Sequence, residues 1–185
     1  PRYYVCNAYG VCGIYSAPGT AVKEAYDTSG IVTNDRGVTV WLKGNRVSRN
    51  QIMAIKEESV TEQKNSLAVC LDNILRHAGI TRNTEYDLAQ GKTATTILSE
   101  NMTGVQVLDL SGCTLDAVLY YVNQDIPVLA ILEDGEAVLV TGFNEFNVVI
   151  MEPATGKLYK KGMNDATAWF AENGNHFITY MRIEN

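Results

Sequence analysis

The sequence predicts an α+β protein in which a buried helix precedes an antiparallel sheet, and a small ββαββ unit precedes both. Three observations predict it. Leu67, Val69, Cys70, Leu71, Ile74, Leu75 and Ala78 make a helix apolar nearly all round, which only a core accommodates. Residues 127–161 hold four short apolar runs separated by Asp134-Gly135, Asn144-Glu145 and Thr155-Gly156, the composition of turns. Residues 2–42 hold four more strand-like runs about a single helical stretch.

In chain order, residues 3–6 and 11–15 read as strands about a Tyr9-Gly10 turn. Pro18-Gly19-Thr20 opens a helix over 21–28, since proline suits the first helical turn, and Ser29-Gly30 ends it. Residues 31–33 and 38–41 flank the turn Asn34-Asp35-Arg36-Gly37 as a second hairpin. A unit of roughly 45 residues is marginal alone and is expected to dock on the rest of the chain. Residues 44–64 are polar, with Ile52, Met53 and Ile55 as the apolar exception, and read as a connector with a short helix. The expected division is a satellite at 1–48, a connector at 49–64 and the main domain at 65–185.

The main domain opens with the buried helix, stopped by Gly79. Shorter helices are expected at 83–89 and 93–101, a strand at 105–110, and an amphipathic helix after the cap Thr114. Strands follow at 127–132, 136–143, 146–151 and 158–161. A helix at 165–172 ends at Asn173-Gly174, and 177–183 is a closing strand.

Composition narrows the function classes. The 46% hydrophobic and 19% charged content over 185 residues is that of an ordinary globular chain with one well-filled core. A formal charge of −6 and a pI near 4.9 oppose nucleic acid, whose phosphates demand Lys and Arg, and equally an anionic membrane surface. No apolar run approaches the ~20 residues that span a bilayer. The start at Pro1, without Met, reads as a mature or trimmed fragment from which an anchor or export signal has been cut, and an extracytoplasmic or membrane-tethered bacterial protein is the expectation. Cys6, Cys12, Cys70 and Cys113 lack zinc-site spacing, and no metal or cofactor is expected. Cys6 and Cys12 flank the first turn; a disulfide there requires export, and the plainer expectation is two reduced strand thiols.

Ser66-Leu67-Ala68-Val69-Cys70 with the helix ending at Gly79, then Asp125-Ile126-Pro127-Val128-Leu129, then Gly135-Glu136 through Gly142-Phe143, then Met151-Glu152-Pro153-Ala154-Thr155-Gly156, stand in an order that resembles the papain-like cysteine peptidases. The specific resemblance is to the double-glycine leader peptidases that process bacteriocin precursors, and it covers about residues 60–185. It implies a helix N-terminus that stabilises a thiolate, a histidine on the sheet that takes the proton, and an acid in the Asp-Pro turn that orients the histidine.

Each chemical position departs from that pattern. The nucleophile position falls on Ser66, the histidine position on Glu136 and the orienting acid on Glu152, while the oxyanion glutamine becomes Val60. A glutamate cannot replace the imidazole as proton relay beside a second carboxylate, so no catalytic residue is expected. Cys70 lies one helical turn after Ser66 and reads as core rather than nucleophile. Asn65 or Ser66 reads as the helix cap. His77, in the last helical turn, and His176, before the final strand, read as structural. Asp72 reads as partnered by Arg46 or Arg49, or as part of a solvent-facing strip. Glu133, Asp134, Glu136, Glu145 and Glu152 concentrate acid near the old active-site end, which suits a cation or a basic peptide as well as ordinary solvated turns. The satellite's tyrosines and Trp41 are expected to dock on the main domain.

The expected function is a catalytically inactive peptidase-like domain that binds a peptide or protein partner. The alternatives are an active cysteine-peptidase-type hydrolase in which Ser66 stands in place of the nucleophilic cysteine, and a purely structural module of a surface protein.

Overall fold

A computed structural model describes residues 1–10, 12–43 and 65–183. The described residues form two antiparallel sheets and six helices. The predicted connector at 49–64, with Arg49 and Val60, lies outside them, as does Arg46.

The first sheet has the order β2-β1-β3-β4, from Tyr3–Cys6 (β1), Cys12–Tyr15 (β2), Ile31–Asn34 (β3) and Thr39–Leu42 (β4). Helix α1, Pro18–Thr28, crosses it with Pro18 in its first turn and Ser29 in the left-handed conformation at its end. The second sheet has the order β5-β10-β6-β7-β8-β9. Its strands are Val105–Asp109 (β5), Val128–Ile131 (β6), Ala137–Phe143 (β7), Asn147–Glu152 (β8), Lys157–Gly162 (β9) and Phe177–Arg182 (β10). Four helices pack on this sheet: Ser66–His77 (α2), Ala94–Asn101 (α4), Leu115–Val122 (α5) and Met163–Glu172 (α6), with α2 against α4 and α5 against α6. The short α3, Glu85–Ala89, follows α2. Strand β7 is buried at every residue, so its continuous apolar run reflects cover on both faces rather than alternation.

Helix α2 begins and ends where the sequence placed its signals. Asn65 Oδ1 accepts the Leu67 N–H (2.8 Å). At the other end Gly79 takes φ +84°, and the N–H groups of Gly79 and Ile80 return to the carbonyls of Arg76 and Leu75 (2.9 and 2.8 Å), which satisfies the last turn. Ala68, Cys70, Leu71, Ile74 and Leu75 of this helix are fully buried.

One apolar core runs through both sheets. The satellite's aromatics carry much of the contact, and their polar tips find partners on the main sheet and α5, as buried Tyr and Trp require. Gln106 Nε2 donates to Tyr3 Oη (2.7 Å), Trp41 Nε1 to the Ala117 carbonyl (3.0 Å), and Tyr26 Oη to Asp116 Oδ2 (2.8 Å). Tyr121 Oη returns the contact to the Val40 carbonyl (2.8 Å). Tyr9 does not take part and is exposed. Gly19 allows α1 to approach this closely: a Cβ there would lie 2.8 Å from the Ser111 carbonyl oxygen.

Two expectations are corrected. Cys6 and Cys12 are not free thiols: they are register partners on β1 and β2, 4.1 Å apart at Cα, and form a disulfide. Closing so short a loop is worth about 2 kcal/mol on chain entropy alone. Asp72 does not face solvent: it is 6% exposed, and its Oδ1 accepts the N–H of the fully buried Thr84 (2.8 Å), while Thr84 Oγ1 donates to the Ala68 carbonyl. The carboxylate ties the loop before α3 to α2.

Candidate active-site cleft

Three chain segments meet at one end of the main sheet. The first is the N-terminus of α2. Asn65 is the cap, and Ser66 makes a different bond. Its Oγ accepts the N–H of Ala137, the first residue of β7 (2.9 Å), and so pins the helix start to the sheet.

The second segment is the turn between β6 and β7. Gly135 takes φ +86°, a conformation costly for other residues. Asp134 Oδ1 accepts the Glu136 N–H (2.9 Å), and the Glu136 carbonyl accepts from Leu132 (2.7 Å). This places the exposed Glu136 one residue before the strand that holds Ser66.

The third is the end of β8. The pairing of Leu139 with Met151 runs β8 antiparallel to β7 and returns Glu152 to the same end of the sheet. Glu152 Oε1 accepts the Ala154 N–H (3.1 Å), closing the turn into β9.

Ser66, Glu136 and Glu152 therefore line one cleft of about 330 Å³. Leu132, Pro153, Tyr159 and Trp169 supply its apolar wall, and Asp134 is its third carboxylate. Among the described residues no Lys or Arg lines the cleft, and none is ion-paired with its three acids. Burial raises the Tyr159 phenol, and the Glu152 charge raises it further. Cys70 is wholly buried one turn inside α2, and its thiol is held well above the usual range by burial, with the Glu152 charge adding to it. A thiol so placed is inert.

Neither histidine lines the cleft. His77 closes α2 at the opposite end, with Nε2 against the Asp125 carbonyl (2.7 Å), beside a separate cavity of about 480 Å³. His176 precedes β10, and its carbonyl accepts the Ile131 N–H (3.0 Å). Two of the five grouped acids also fall elsewhere. Glu145 sits in the β7–β8 turn at the far end of β7, because a seven-residue strand separates it from Glu136. Glu133 is exposed outside the cleft, with its N–H on Asn173 Oδ1 (3.1 Å).

Sequence reasoning missed Trp169 and Tyr159. Trp169 stands beside Phe170 in α6, where helical spacing suggests core; in fact it is half-buried at the cleft and carries the Lys161 ammonium 4.9 Å from its ring centroid. Tyr159 lies mid-strand on an edge strand otherwise rich in lysine, with no turn signal to single it out.

Chemically, the cleft offers a hydroxyl whose oxygen accepts a backbone N–H, three carboxylates and an aromatic wall. Among the described residues it contains no imidazole, thiol or amine to take a proton from Ser66 and hand it on.

A buried helix whose N-terminus meets the end of an antiparallel sheet in such a cleft defines a peptidase-like α+β fold. A crystal structure from Bacillus anthracis described as a C39-like peptidase is similar to this chain, with a TM-score of 0.58 at 13% identity, over 77% of this chain and all of that one. At that identity the likeness establishes a C39 peptidase-like fold and nothing of the chemistry. No protein-family model matches the sequence, and no curated protein matches it.

Proposed function

We propose that this chain is a catalytically inactive, papain-like peptidase domain of the double-glycine type that holds a peptide or protein segment in the cleft without cutting it. The supporting observation is the bond made by Ser66, whose Oγ accepts the Ala137 N–H at 2.9 Å, while Glu136 and Glu152, the residues to which the resemblance assigns the positions of imidazole and orienting acid, line the same cleft. A serine served only by carboxylates lacks a base that remains unprotonated while strong enough to activate it. The retained cleft favours binding over a purely structural module. The Cys6–Cys12 disulfide fits a larger bacterial protein whose domain works outside the cytoplasm.

One observation favours the alternative of a lost cysteine. The N-terminus of α2 and the Ala137 N–H, both aimed at residue 66, would also stabilise a thiolate. Intact-mass analysis after treatment with thiol- and serine-directed hydrolase probes separates the two. The wild-type protein and Ser66→Cys should both remain unlabelled at residue 66 over the time that reacts an active cysteine peptidase. Rapid labelling of Ser66→Cys there would show a site that still activates a thiolate, and the binding-only reading would fail.

A further inference from the structure

The cleft's lining mixes polar and apolar surface, and among the described residues its charge has one sign. We infer that its occupant is an extended cationic peptide segment, with an apolar side chain against Trp169, Tyr159 and Pro153 and a neighbouring Lys or Arg between Glu136 and Glu152. The inference rests on the binding reading above and specifies its ligand.

Volume and lining come first. At about 330 Å³ the cleft lies at the small end of ligand-sized cavities, roughly 300–1,000 Å³, and it is partly open to solvent. Seven of its eleven lining residues are apolar or aromatic: Leu132, Ala137, Val138, Pro153, Ala154, Tyr159 and Trp169. The other four are Ser66 and three acids.

Among the described residues the three acids have no ion-pair partner. At α2's first turn, Asn65 already takes the Leu67 N–H, so none of them serves as the helix cap. Asp134 and Glu152 each accept one N–H of their own turn, and among the described residues no hydrogen bond reaches the Glu136 carboxylate. The partial charge of a helix N-terminus, roughly +0.5, offsets only a fraction of three carboxylates. Lys157, which pairs with Glu152 in the β8–β9 register, is exposed and not ion-paired with it. Among the described residues, an arriving cation displaces no ion-pair partner of these acids.

The aromatic wall suits the same occupant. Lys161 holds its ammonium 4.9 Å from the Trp169 ring centroid, so this indole already engages one cation from within the chain. A side chain of the same kind entering from the cleft would meet carboxylates on one side and aromatic surface on the other.

The test uses the purified wild-type chain and three fluorescein-labelled decapeptides in which leucine alternates with lysine, threonine or glutamate. Fluorescence anisotropy should show binding of the lysine peptide, weakened by salt, and none of the glutamate peptide. Glu136→Gln combined with Glu152→Gln should weaken the lysine peptide about tenfold or more. The control pair Glu24→Gln with Glu85→Gln removes the same charge from exposed positions elsewhere and should change it less than about twofold. Equal losses from both pairs would reduce the effect to net charge and overturn the inference. Binding of the threonine or glutamate peptide as tight as that of the lysine peptide, and lost in Trp169→Ala, would keep peptide binding but reject the cationic class. Failure of all three peptides overturns the inference, while the fate of Ser66→Cys under hydrolase probes judges the inactive-peptidase reading separately.

Discussion

The two ends of α2 carry different polar groups, and they use them differently. At the N-terminal end stand Asp134, Glu136 and Glu152 around a cleft; at the C-terminal end stand His77 and Arg182 around the 480 Å³ cavity lined also by Ile80, Met102 and Tyr180. The carboxylates at one end and Arg182 at the other suit the dipole of the helix between them. At the C-terminal end, however, these side chains are engaged by main chain. Arg182 Nη1 donates to the Gln124 carbonyl beyond α5 (3.2 Å), His77 Nε2 lies on the Asp125 carbonyl (2.7 Å), and α2, α4 and α5 all end nearby. The Arg182 charge compensates a helix end, and an anion entering there would face helix-end carbonyls. At the N-terminal end Asn65 does the capping, and among the described residues the carboxylates bond only N–H groups of their own turns. Charge near a helix terminus points to a ligand only after the terminus itself has been satisfied by other groups.

The severest way to disturb this comparison is to loosen the helix that joins the two ends. Leu71 is fully buried at its centre, and Leu71→Ala should cost about 2–5 kcal/mol in urea denaturation, with both ends losing order together. A loss confined to one end would mean that α2 does not couple them.

Smaller changes separate the ends. Ser66→Ala removes the acceptor of the buried Ala137 N–H and should cost about 1 kcal/mol, without changing the background rate of peptide cleavage. Arg182→Ala, at an exposed cation over helix-end carbonyls, should cost only about 0.5 kcal/mol and leave lysine-peptide affinity unchanged. If Arg182→Ala altered that affinity more than Ser66→Ala did, the assignment of roles to the two ends would be reversed.

Local physics made much of the fold readable from sequence. The α2 boundaries, the Thr114 cap that accepts the Ala117 N–H, and the left-handed glycines of the turns are decided within a few residues, and those signals placed the elements to within about three residues. Three positions of the cleft, Ser66, Glu136 and Glu152, were legible through the order of short motifs around them. The features that escaped depend on contacts across the chain. Asp72 looks like a surface residue until Thr84 is brought over it, twelve positions away. Trp169 reads as core until the β8–β9 turn opens a cleft beside it. Glu145 and Glu136 look alike as turn acids, and only the length of β7 sends them to opposite ends of the sheet. Cys6 and Cys12 needed the β1–β2 register to become partners.

The central claim, a cleft at the start of α2 that holds cationic peptide without cutting it, is tested most directly by titrating the ¹⁵N-labelled protein with the leucine–lysine decapeptide while following amide and indole shifts and the peptide's mass. The account predicts shifts concentrated at Ala137, Ala154 and the Trp169 indole, saturating with an intact peptide. Shifts concentrated around His77 and Arg182, or a peptide recovered in two pieces, would contradict it.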